Sequence, residues 1–402
     1  MTQSQRILVA VGGGIAAYKV CEIVSSLIQA GHSVRVILTE TAQKFITPLT
    51  FSTLARHPAY PDQEFWHPDQ ARPLHIELGE WAEVFLIAPL TAHTLAKLSQ
   101  GLADDLLTST VLASTCPIVL APAMNTVMWS QAVVQRNWAV LTDDPRYHWL
   151  GPRSGRLACD AVGPGRMAEP EELLALLDSL LLTGGKRDLR GKKILITGGG
   201  TREHLDAVRF LGNPASGKMG LALAQAGQAR GAEVLLVHGP QALGIPPEID
   251  HMAVTSGLEM AERLNQAWGN FDWLIMAAAV GDVRPKTNST IKLPKDQIPN
   301  PLPLEFIPDL VKHLASQKRP EQQVIGFAAQ TEDIATPAWA KLQDKGLDLI
   351  VANPIDRPES GFNSPTNQAL IFHKSGAKIT VPLTTKLRLA HELYDLILRF
   401  AE

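Results

Sequence analysis

Twice along this chain an apolar strand runs straight into glycines. Ile7-Leu8-Val9-Ala10-Val11 meets Gly12-Gly13-Gly14, and Ile194-Leu195-Ile196 meets Thr197-Gly198-Gly199-Gly200-Thr201-Arg202. A strand that ends in glycines and turns into a helix offers backbone N–H groups to a phosphate at the C-terminal edge of a parallel sheet. Two such junctions constrain the chain to two α/β units, each with a nucleotide-type site. The length agrees, since 402 residues exceed one typical domain.

Composition removes several classes of function. Apolar content of 45% and charged content of 19% are those of an ordinary soluble protein. A net charge of −3 gives no reason to expect nucleic acid or a membrane surface. No apolar run reaches the ~18 residues of a membrane span. The opening MTQSQR lacks the apolar core of a secretory leader, so a cytoplasmic protein is expected. Three scattered cysteines, Cys21, Cys116 and Cys159, make neither a disulfide frame nor a zinc site. Each is expected as a free thiol, and no structural metal is expected.

In the first half, helical periodicity from Ile15 to Ala30 stops at Gly31, and Val34-Arg-Val-Ile-Leu38 is the next strand. This is the βαβ unit of a parallel sheet. A dinucleotide fingerprint would need a third glycine at Ala17 and an acid where the second strand ends in Thr39. That ranks NAD(P) below a monophosphate ligand such as a flavin mononucleotide. Two further strands end at Pro89-Leu90-Thr91-Ala92-His93-Thr94 and at Pro122-Ala123-Met124-Asn125. Polar groups just past strand ends sit where open α/β sheets bind ligands. His75 lies among apolar residues, where a histidine is more often packed than catalytic. Cys159 lies between Ser154-Gly155-Arg156 and Gly163-Pro164-Gly165-Arg166, which reads as a long loop, a lid type.

Gly13-Gly14-Ile15-Ala16-Ala17-Tyr18-Lys19, His75-Ile76-Glu77-Leu78, Pro122-Ala-Met-Asn-Thr-Val-Met-Trp129 and Ala158-Cys159 with Gly163-Pro164-Gly165-Arg166-Met167 occur in that order. Together they resemble the flavin-dependent phosphopantothenoylcysteine decarboxylases, over residues 4–180. The resemblance implies a flavodoxin-like fold, trimers, and FMN at the subunit contact. His75 would be the catalytic base or a flavin-side histidine. Asn125 would bind the substrate's carboxylate or amide, and Cys159 would donate the proton that completes the product. FMN would lie against Gly13, Gly14, Ile15, Ala16, Thr39, Thr91, Ala92, His93, Thr94 and Ala123. The family often carries Ser or Thr at Gly12, Asn at His93 and Gly at Asp160.

An amphipathic helix from Glu171 to Leu182 closes the first half, and Thr183-Gly-Gly-Lys-Arg-Asp-Leu-Arg-Gly191 reads as a linker. The second half again shows no acid after its second strand. Asn213-Pro-Ala-Ser216-Gly217-Lys218-Met219-Gly220 contains a phosphate-loop fragment without the full spacing, so its amides, Ser216 and Lys218 are candidates for a phosphate. Asp282 at a strand end suits magnesium–triphosphate. Lys292 lies on a polar excursion. Lys341 and Lys345 fall one helical turn apart and repel unless an anion is shared.

Thr197-Gly-Gly-Gly-Thr-Arg-Glu203, Asn213, Ser216 to Gly220, Asp282, Lys292, Pro308-Asp309-Leu310-Val311, Gly326-Phe327-Ala328-Ala329 and Lys341/Lys345 resemble bacterial phosphopantothenate–cysteine ligases, over residues 190–400. The two halves together resemble the bifunctional decarboxylase/ligase of coenzyme A synthesis. The resemblance implies CTP and magnesium. Phosphopantothenate's carboxylate becomes an acyl-cytidylate with loss of pyrophosphate, and the amine of cysteine displaces CMP. Asn213 would hold the acyl-cytidylate and Lys292 would sit on the triphosphate. Met276, Ala277, Ala278, Asp282, Pro308, Asp309, Leu310, Val311, Phe327, Lys341 and Lys345 would line the CTP site. Magnesium would reach Asp282 through CTP. Gln330 stands where Glu is common.

The expected architecture is therefore α/β throughout. A flavodoxin-like parallel-sheet domain over 1–185 precedes a Rossmann-like ligase domain over 186–402. Decarboxylase trimers and ligase dimers together imply a closed dodecamer. The expected partners are phosphopantothenate, cysteine and CTP, with no nucleic acid and no membrane. The rivals are a tandem-Rossmann NAD(P)-dependent oxidoreductase, which needs acids the second strands lack, and a non-catalytic flavin-binding module, which leaves His75, Asn125, Cys159 and Lys292 as coincidences.

Overall fold

The computed structural model describes residues 4–67, 72–240, 244–357, 359–361 and 363–401, so the first three residues of the opening segment lie outside it. The chain divides into two compact units, Met1–Lys186 and Arg187–Glu402. No helix among the described residues is long and apolar enough to cross a membrane.

The first unit holds six strands: β1 (Arg6–Val11), β2 (Ser33–Leu38), β3 (Tyr60–Pro61), β4 (Val84–Leu90), β5 (Ile118–Pro122) and β6 (Tyr147–Trp149). They pair in parallel in the order β3-β2-β1-β4-β5-β6. Side chains alternate along a strand, so β1 feeds two cores at once. Ile7, Val9 and Val11 pack beneath helices Ala17–Gln29 and Pro170–Thr183. Leu8 and Ala10 pack under helices Leu74–Trp81, Ala92–Gln100, Leu106–Ala113 and Ala132–Asp143. Burial on both faces is why the strand reads as an unbroken apolar run. Each such Ile, Leu or Val contributes about 1.5–3 kcal/mol by leaving water.

The segment around Cys159 is not an open loop. It is an antiparallel hairpin of β7 (Arg153–Arg156) and β8 (Val162–Arg166). Glycine and proline hide its strand character because the hairpin docks on the chain beyond β5 through close backbone approach. A Cβ on Gly165 would lie 2.2 Å from the Met124 carbonyl oxygen, and one on Gly163 would lie 2.7 Å from Thr126 Cγ2.

The second unit contains β9 (Lys193–Gly198), the hairpin β10 (Arg202–His204) and β11 (Phe210–Gly212), then β12 (Glu233–His238), β13 (Asp250–Ala253) and β14 (Trp273–Met276). A second hairpin, β15 (Val283–Pro285) and β16 (Leu304–Phe306), precedes β17 (Gln323–Gln330), β18 (Leu349–Pro354), β19 (Thr366–His373) and β20 (Lys378–Thr385). The main sheet runs β13-β12-β9-β14-β17-β18-β19-β20. Its first six strands are parallel and the last two antiparallel. The β19–β20 extension has no counterpart in the sequence reading. Ile194 and Ile196 face one core while Leu195 faces the other. The end of the expected linker is anchored in this unit: Leu189 is fully buried, and Asp188 accepts from the Arg230 guanidinium at 2.8 and 2.7 Å.

Candidate active sites

In the first unit β2 lies to one side of β1 and β4 to the other, so the loops leaving β1 and β4 part above the sheet. That divergence is where open α/β sheets bind ligands. The glycines allow the chain to turn there. A Cβ on Gly12 would lie 2.3 Å from the Pro89 carbonyl oxygen, and one on Gly13 would lie 2.4 Å from Thr41 Cβ. A Ser or Thr at position 12 would therefore require the Pro89 backbone to move. Helix Ala17–Gln29 has no side-chain cap and no acid in its first turn. Its first bond runs from Ala17 N–H to the Gly14 oxygen, and the N–H groups of Gly13, Gly14, Ile15 and Ala16 donate to no acceptor among the described residues. Orphan donors at the positive end of a helix form an anion cradle.

Thr91, Ala92, His93 and Thr94 open the helix after β4. The Thr91 hydroxyl accepts from Thr94 N–H at 3.2 Å and meets the Thr94 hydroxyl at 3.1 Å; His93 is exposed. Ala123 follows β5 and donates its N–H to the Leu90 oxygen at 3.0 Å. Thr39 sits past β2, and its hydroxyl is already engaged, donating to the Val11 oxygen at 3.3 Å and accepting from Ala42 N–H at 3.2 Å.

The docked hairpin brings two predicted residues together: Asn125 Nδ2 donates to Cys159 Sγ at 3.2 Å. Asn125 Oδ1 accepts from Val127 N–H at 2.8 Å, which fixes which end of the amide faces the sulfur. Cys159 is exposed, at the tip between β7 and β8. The Ala161 N–H, followed by the Asn125 amide, draws the thiol's pKa below its ordinary value, while Asp160 opposes. Asp160 itself has φ 65°, in the left-handed region that favours glycine, and Arg156 holds its carboxylate at 2.6 and 3.0 Å. Cys116, by contrast, is buried, and that burial pushes its thiol up to about 11. His75 lies edge-on to Phe65 with centroids 5.4 Å apart, and its Nδ1 is buried with no partner among the described residues. No bond joins His75 to Asn125 or Cys159 among the described residues.

In the second unit the glycine turn is differently used. Gly239 N–H donates to Gly198 O at 3.0 Å, Ala279 N–H to Gly199 O at 2.9 Å, and Thr201 N–H to Ala279 O at 3.2 Å. A Cβ on Gly200 would lie 2.5 Å from the Asn213 carbonyl oxygen. The turn is thus mainly a packing joint between backbones. The uncapped helix start is instead at Gly217, whose φ of 80° suits glycine, and the N–H groups of Lys218, Met219 and Gly220 donate to no acceptor among the described residues. Gly220 seats that helix on β9, where a Cβ would lie 2.7 Å from Gly198 Cα.

This helix start opens on a cleft of about 810 Å³. Asn213, Met276, Ala277, Ala278, Asp282, Pro308, Asp309, Leu310, Val311, Phe327, Lys341 and Lys345 all line it. Buried hydroxyls shape its floor: Thr197 accepts from Ala278 N–H and Thr201 from Gly281 N–H, each at 3.0 Å. Asn213 Nδ2 reaches toward the Ala279 oxygen at 3.4 Å. The expected repulsion between Lys341 and Lys345 does not arise in the form the sequence implied, because Lys345 pairs with Asp309 at 3.0 Å. Lys292 does not line the cleft; it is exposed on a loop pinned at Leu293, whose N–H donates to Asp206 at 3.1 Å and whose oxygen accepts from Arg209 at 2.6 Å. No group of three or more His, Cys, Asp or Glu able to hold a metal lies among the described residues.

The cleft also contains Asn353, Asn367 and Lys386, which carry no motif and were not anticipated. Thr197 and Thr201 were quoted only as parts of a motif. Their supporting hydrogen bonds join residues about eighty positions apart, so no local pattern exposes them.

Comparison with known proteins places both halves. A family model described as flavoprotein matches residues 1–182, and one described as DNA/pantothenate metabolism flavoprotein C-terminal domain matches residues 189–400. The chain is 41% identical over 394 residues to the coenzyme A biosynthesis bifunctional protein CoaBC of Bacillus subtilis (strain 168), covering 98% of this chain and 96% of the relative. It is 40% identical over 395 residues to the protein of the same name from Vibrio cholerae serotype O1, covering 98% of each. Among solved structures, the C-terminal domain of a coenzyme A biosynthesis bifunctional protein CoaBC is 39% identical, with TM-score 0.45, covering 52% of this chain and 95% of that one.

Proposed function

The chain belongs to the family of bifunctional coenzyme A biosynthesis proteins, and from that premise we propose how its two units divide the work. It is an enzyme with a decarboxylase half and a ligase half. The ligase, over residues 186–402, joins (R)-4′-phosphopantothenate to L-cysteine with CTP. The decarboxylase, over residues 1–185, converts the resulting 4′-phosphopantothenoylcysteine to 4′-phosphopantetheine with FMN.

In the first unit the four free N–H groups from Gly13 to Ala16 fit the single phosphate of FMN. Bound FMN supplies the reversible electron sink without which a cysteine carboxylate cannot lose carbon dioxide. Thr91, Ala92, His93, Thr94 and Ala123 border the same strand ends, whereas the hydroxyl of Thr39 is already engaged. Asn125 orients the substrate's carboxylate or amide. Cys159, kept beside it by the docked hairpin, holds the proton delivered to the product. His75 remains the base or flavin-side histidine.

In the second unit, activation of the carboxylate is needed because an amine cannot expel oxide. Attack on the α-phosphate releases pyrophosphate, and cysteine's amine then releases CMP. The N–H groups of Lys218, Met219 and Gly220 receive phosphate, Asp282 meets the magnesium carried by CTP, and Asn213 holds the acyl-cytidylate. Phe327, Lys341, Lys345 and the flanking segments enclose the nucleotide. Lys292 as the triphosphate cation draws no support from its position.

The observation that carries the ligase reading is one cleft that gathers Asn213, Asp282, Phe327 and Lys345 from separate segments beside an uncapped helix start. Its test is synthesis from phosphopantothenate, cysteine and FMN with each nucleoside triphosphate in turn. CTP should support turnover and ATP should not; equal use of both removes the CTP assignment. The decarboxylase reading predicts a yellow protein absorbing near ~450 nm, as oxidised flavins do. A colourless preparation that takes up no FMN overturns it. Decarboxylase trimers, ligase dimers, a closed dodecamer and a cytoplasmic location complete the proposal.

A further inference from the structure

At the open end of the hairpin that carries Cys159, two arginines face each other: Arg153 on β7 stands opposite Arg166 on β8. Like charges directly opposite on neighbouring strands repel, so this end of the hairpin needs each charge answered. Each arginine has its own acid. Arg153 donates to the Glu172 carboxylate from Nη2 at 2.8 Å and from Nε at 3.1 Å. Arg166 Nη2 donates to Glu169 at 2.9 Å, and Glu169 also accepts from Lys19 Nζ at 2.5 Å.

The two acids form one unit. Glu169 is the N-cap of helix Pro170–Thr183 and Glu172 its third residue, and together they make a reciprocal capping box, with Glu169 N–H donating to Glu172 at 2.9 Å. Lys19 belongs to helix Ala17–Gln29, which begins at the anion cradle. The hairpin is thus tied to the two helices that pack beneath β1. The Arg153 and Lys19 side chains are only 11% and 13% exposed, so salt screens their pairs little. The pair of Arg166 and Glu169 is more open.

This clamp lies beside the joint that seats the hairpin. The strand register steps from Arg153–Arg166 to Ser154–Pro164, which leaves Gly165 as the unopposed residue of a bulge. Its oxygen accepts from Met124 N–H at 3.0 Å, and Asn125 follows Met124. We propose that Glu169 and Glu172 are positioning residues for the Cys159 thiol: by answering Arg166 and Arg153 they hold the hairpin where the sulfur meets the Asn125 amide. The inference rests on the proton-donor reading of Cys159 and adds to it what fixes the donor's place. Neither acid bonds to Cys159 among the described residues, so both act through the hairpin.

Glutamine separates charge from shape at these positions. Glu169→Gln/Glu172→Gln keeps side-chain oxygens that accept the capping bonds and removes both charges. The test is the pH profile of Cys159 alkylation in the full chain, read on the peptide that carries it. Flavin absorbance, the urea midpoint, and kcat and KM for decarboxylation are measured beside it. The Asn125 amide favours thiolate, so a hairpin that drifts from Asn125 carries a thiol of higher pKa. Loss of two negative charges by itself would lower that pKa, so a rise reports the lost contact.

The expected result is an alkylation midpoint raised toward that of Asn125→Ala, with flavin retained because the cradle is made of backbone N–H groups. The kcat for decarboxylation should fall by about tenfold to a hundredfold, the scale of a misplaced reacting group, and KM should change far less. In the Asn125→Ala background the same two substitutions should move the midpoint no further. A midpoint that stays put or falls overturns the inference, even where the urea midpoint drops, since that is a structural role alone. A full further shift in the Asn125→Ala background overturns it too. A raised midpoint with unchanged kcat supports the clamp and removes instead the proton-donor reading of Cys159. Should the doubly substituted chain lose its flavin or its cooperative urea transition, Arg166→Gln, which leaves the capping box whole, decides the matter. It should raise the midpoint by a smaller amount, and an unmoved midpoint there overturns the inference.

Discussion

The two units order their parallel strands alike, three on one side of the crossover and three on the other, yet they use the glycines after the first strand for different ends. In the first unit the helix begins within a few residues of Gly14, and the turn itself presents four free N–H groups. In the second, a hairpin intervenes before Lys218, and the glycines bond instead to Gly239 and Ala279. The donors without an acceptor among the described residues have moved to Lys218, Met219 and Gly220. The same strand-to-glycine signature therefore marks the binding edge in both units, but it marks the anion cradle itself in only one. Which of the two it does depends on whether a helix follows at once, because only a helix start aligns several N–H groups at one point.

The comparison can be broken at its chemistry first. Cys159→Ser should slow decarboxylation by about a thousandfold, within the range for loss of a general acid, while pyrophosphate release by the ligase continues unchanged. Equal decarboxylation rates would remove the proton-donor role. The same thiol gives a pH test with a defined sign. The Ala161 N–H and the Asn125 amide favour thiolate, so Asn125→Ala should raise the pKa and slow alkylation of Cys159 near pH 8. An unchanged alkylation profile would mean that the contact between Asn125 and sulfur has no effect in solution.

Next in size is the packing joint. Gly220→Ala drives a Cβ into the backbone of β9 and should destabilise the second unit by about 3 kcal/mol, read as a lower urea midpoint with ligation lost. Gly14→Ala is its counterpart in the first unit. There the nearest atom to a new Cβ is Pro89 Cγ at 3.8 Å, so stability should change by less than about 0.5 kcal/mol. If the two substitutions cost the same, the close seating of Gly220 on β9 does not limit the stability of the second unit.

The smallest expected effect concerns the loop that carries Lys292. Arg209, then the backbone N–H groups of Arg209, Val208 and Leu293, hold the Asp206 carboxyl well below the usual carboxylate range. A depressed carboxylate stabilises the fold above its unfolded pKa of about 3.9, and the benefit is lost as pH falls through the folded value. Asp206→Asn should therefore release the pinned loop at neutral pH, and strong acid should do the same to the unaltered protein. Limited trypsin cleavage at Lys292 and Lys295 measures it. Resistance in Asp206→Asn would show that the loop is held elsewhere.

Much of the architecture was legible because it rests on local regularities. Apolar runs flanked by glycine gave the strands buried on both faces, and helical periodicity gave the covering helices. The hairpin around Cys159 escaped because its glycines and prolines serve a contact with residues 124–126, not a local turn preference. The β19–β20 pair escaped because Pro382 interrupts the alternation of β20 and because β19 buries a polar residue, Asn367, where an apolar one would mark the covered face. At the sites, Asn125 and Cys159 could be named but not joined, since the bond between them spans 34 positions. Lys345 could be named but not paired, since Asp309 comes from another segment. Lys292, read as a loop lysine able to reach phosphates and placed on the triphosphate by resemblance, is the predicted nucleotide residue that the cleft does not include.

By itself the sequence determined that there are two α/β units, where each first strand ends, and which side chains are available for proton transfer and phosphate binding. Those properties follow from the order of apolar residues and glycines along one dimension. Tertiary structure alone decided that the second glycine turn became a joint, that Asn125 met the Cys159 thiol, and that Lys218 and Lys386 came to line one cleft. Long-range backbone contacts and burial set those outcomes, and neither is encoded within the reach of a single helix or strand.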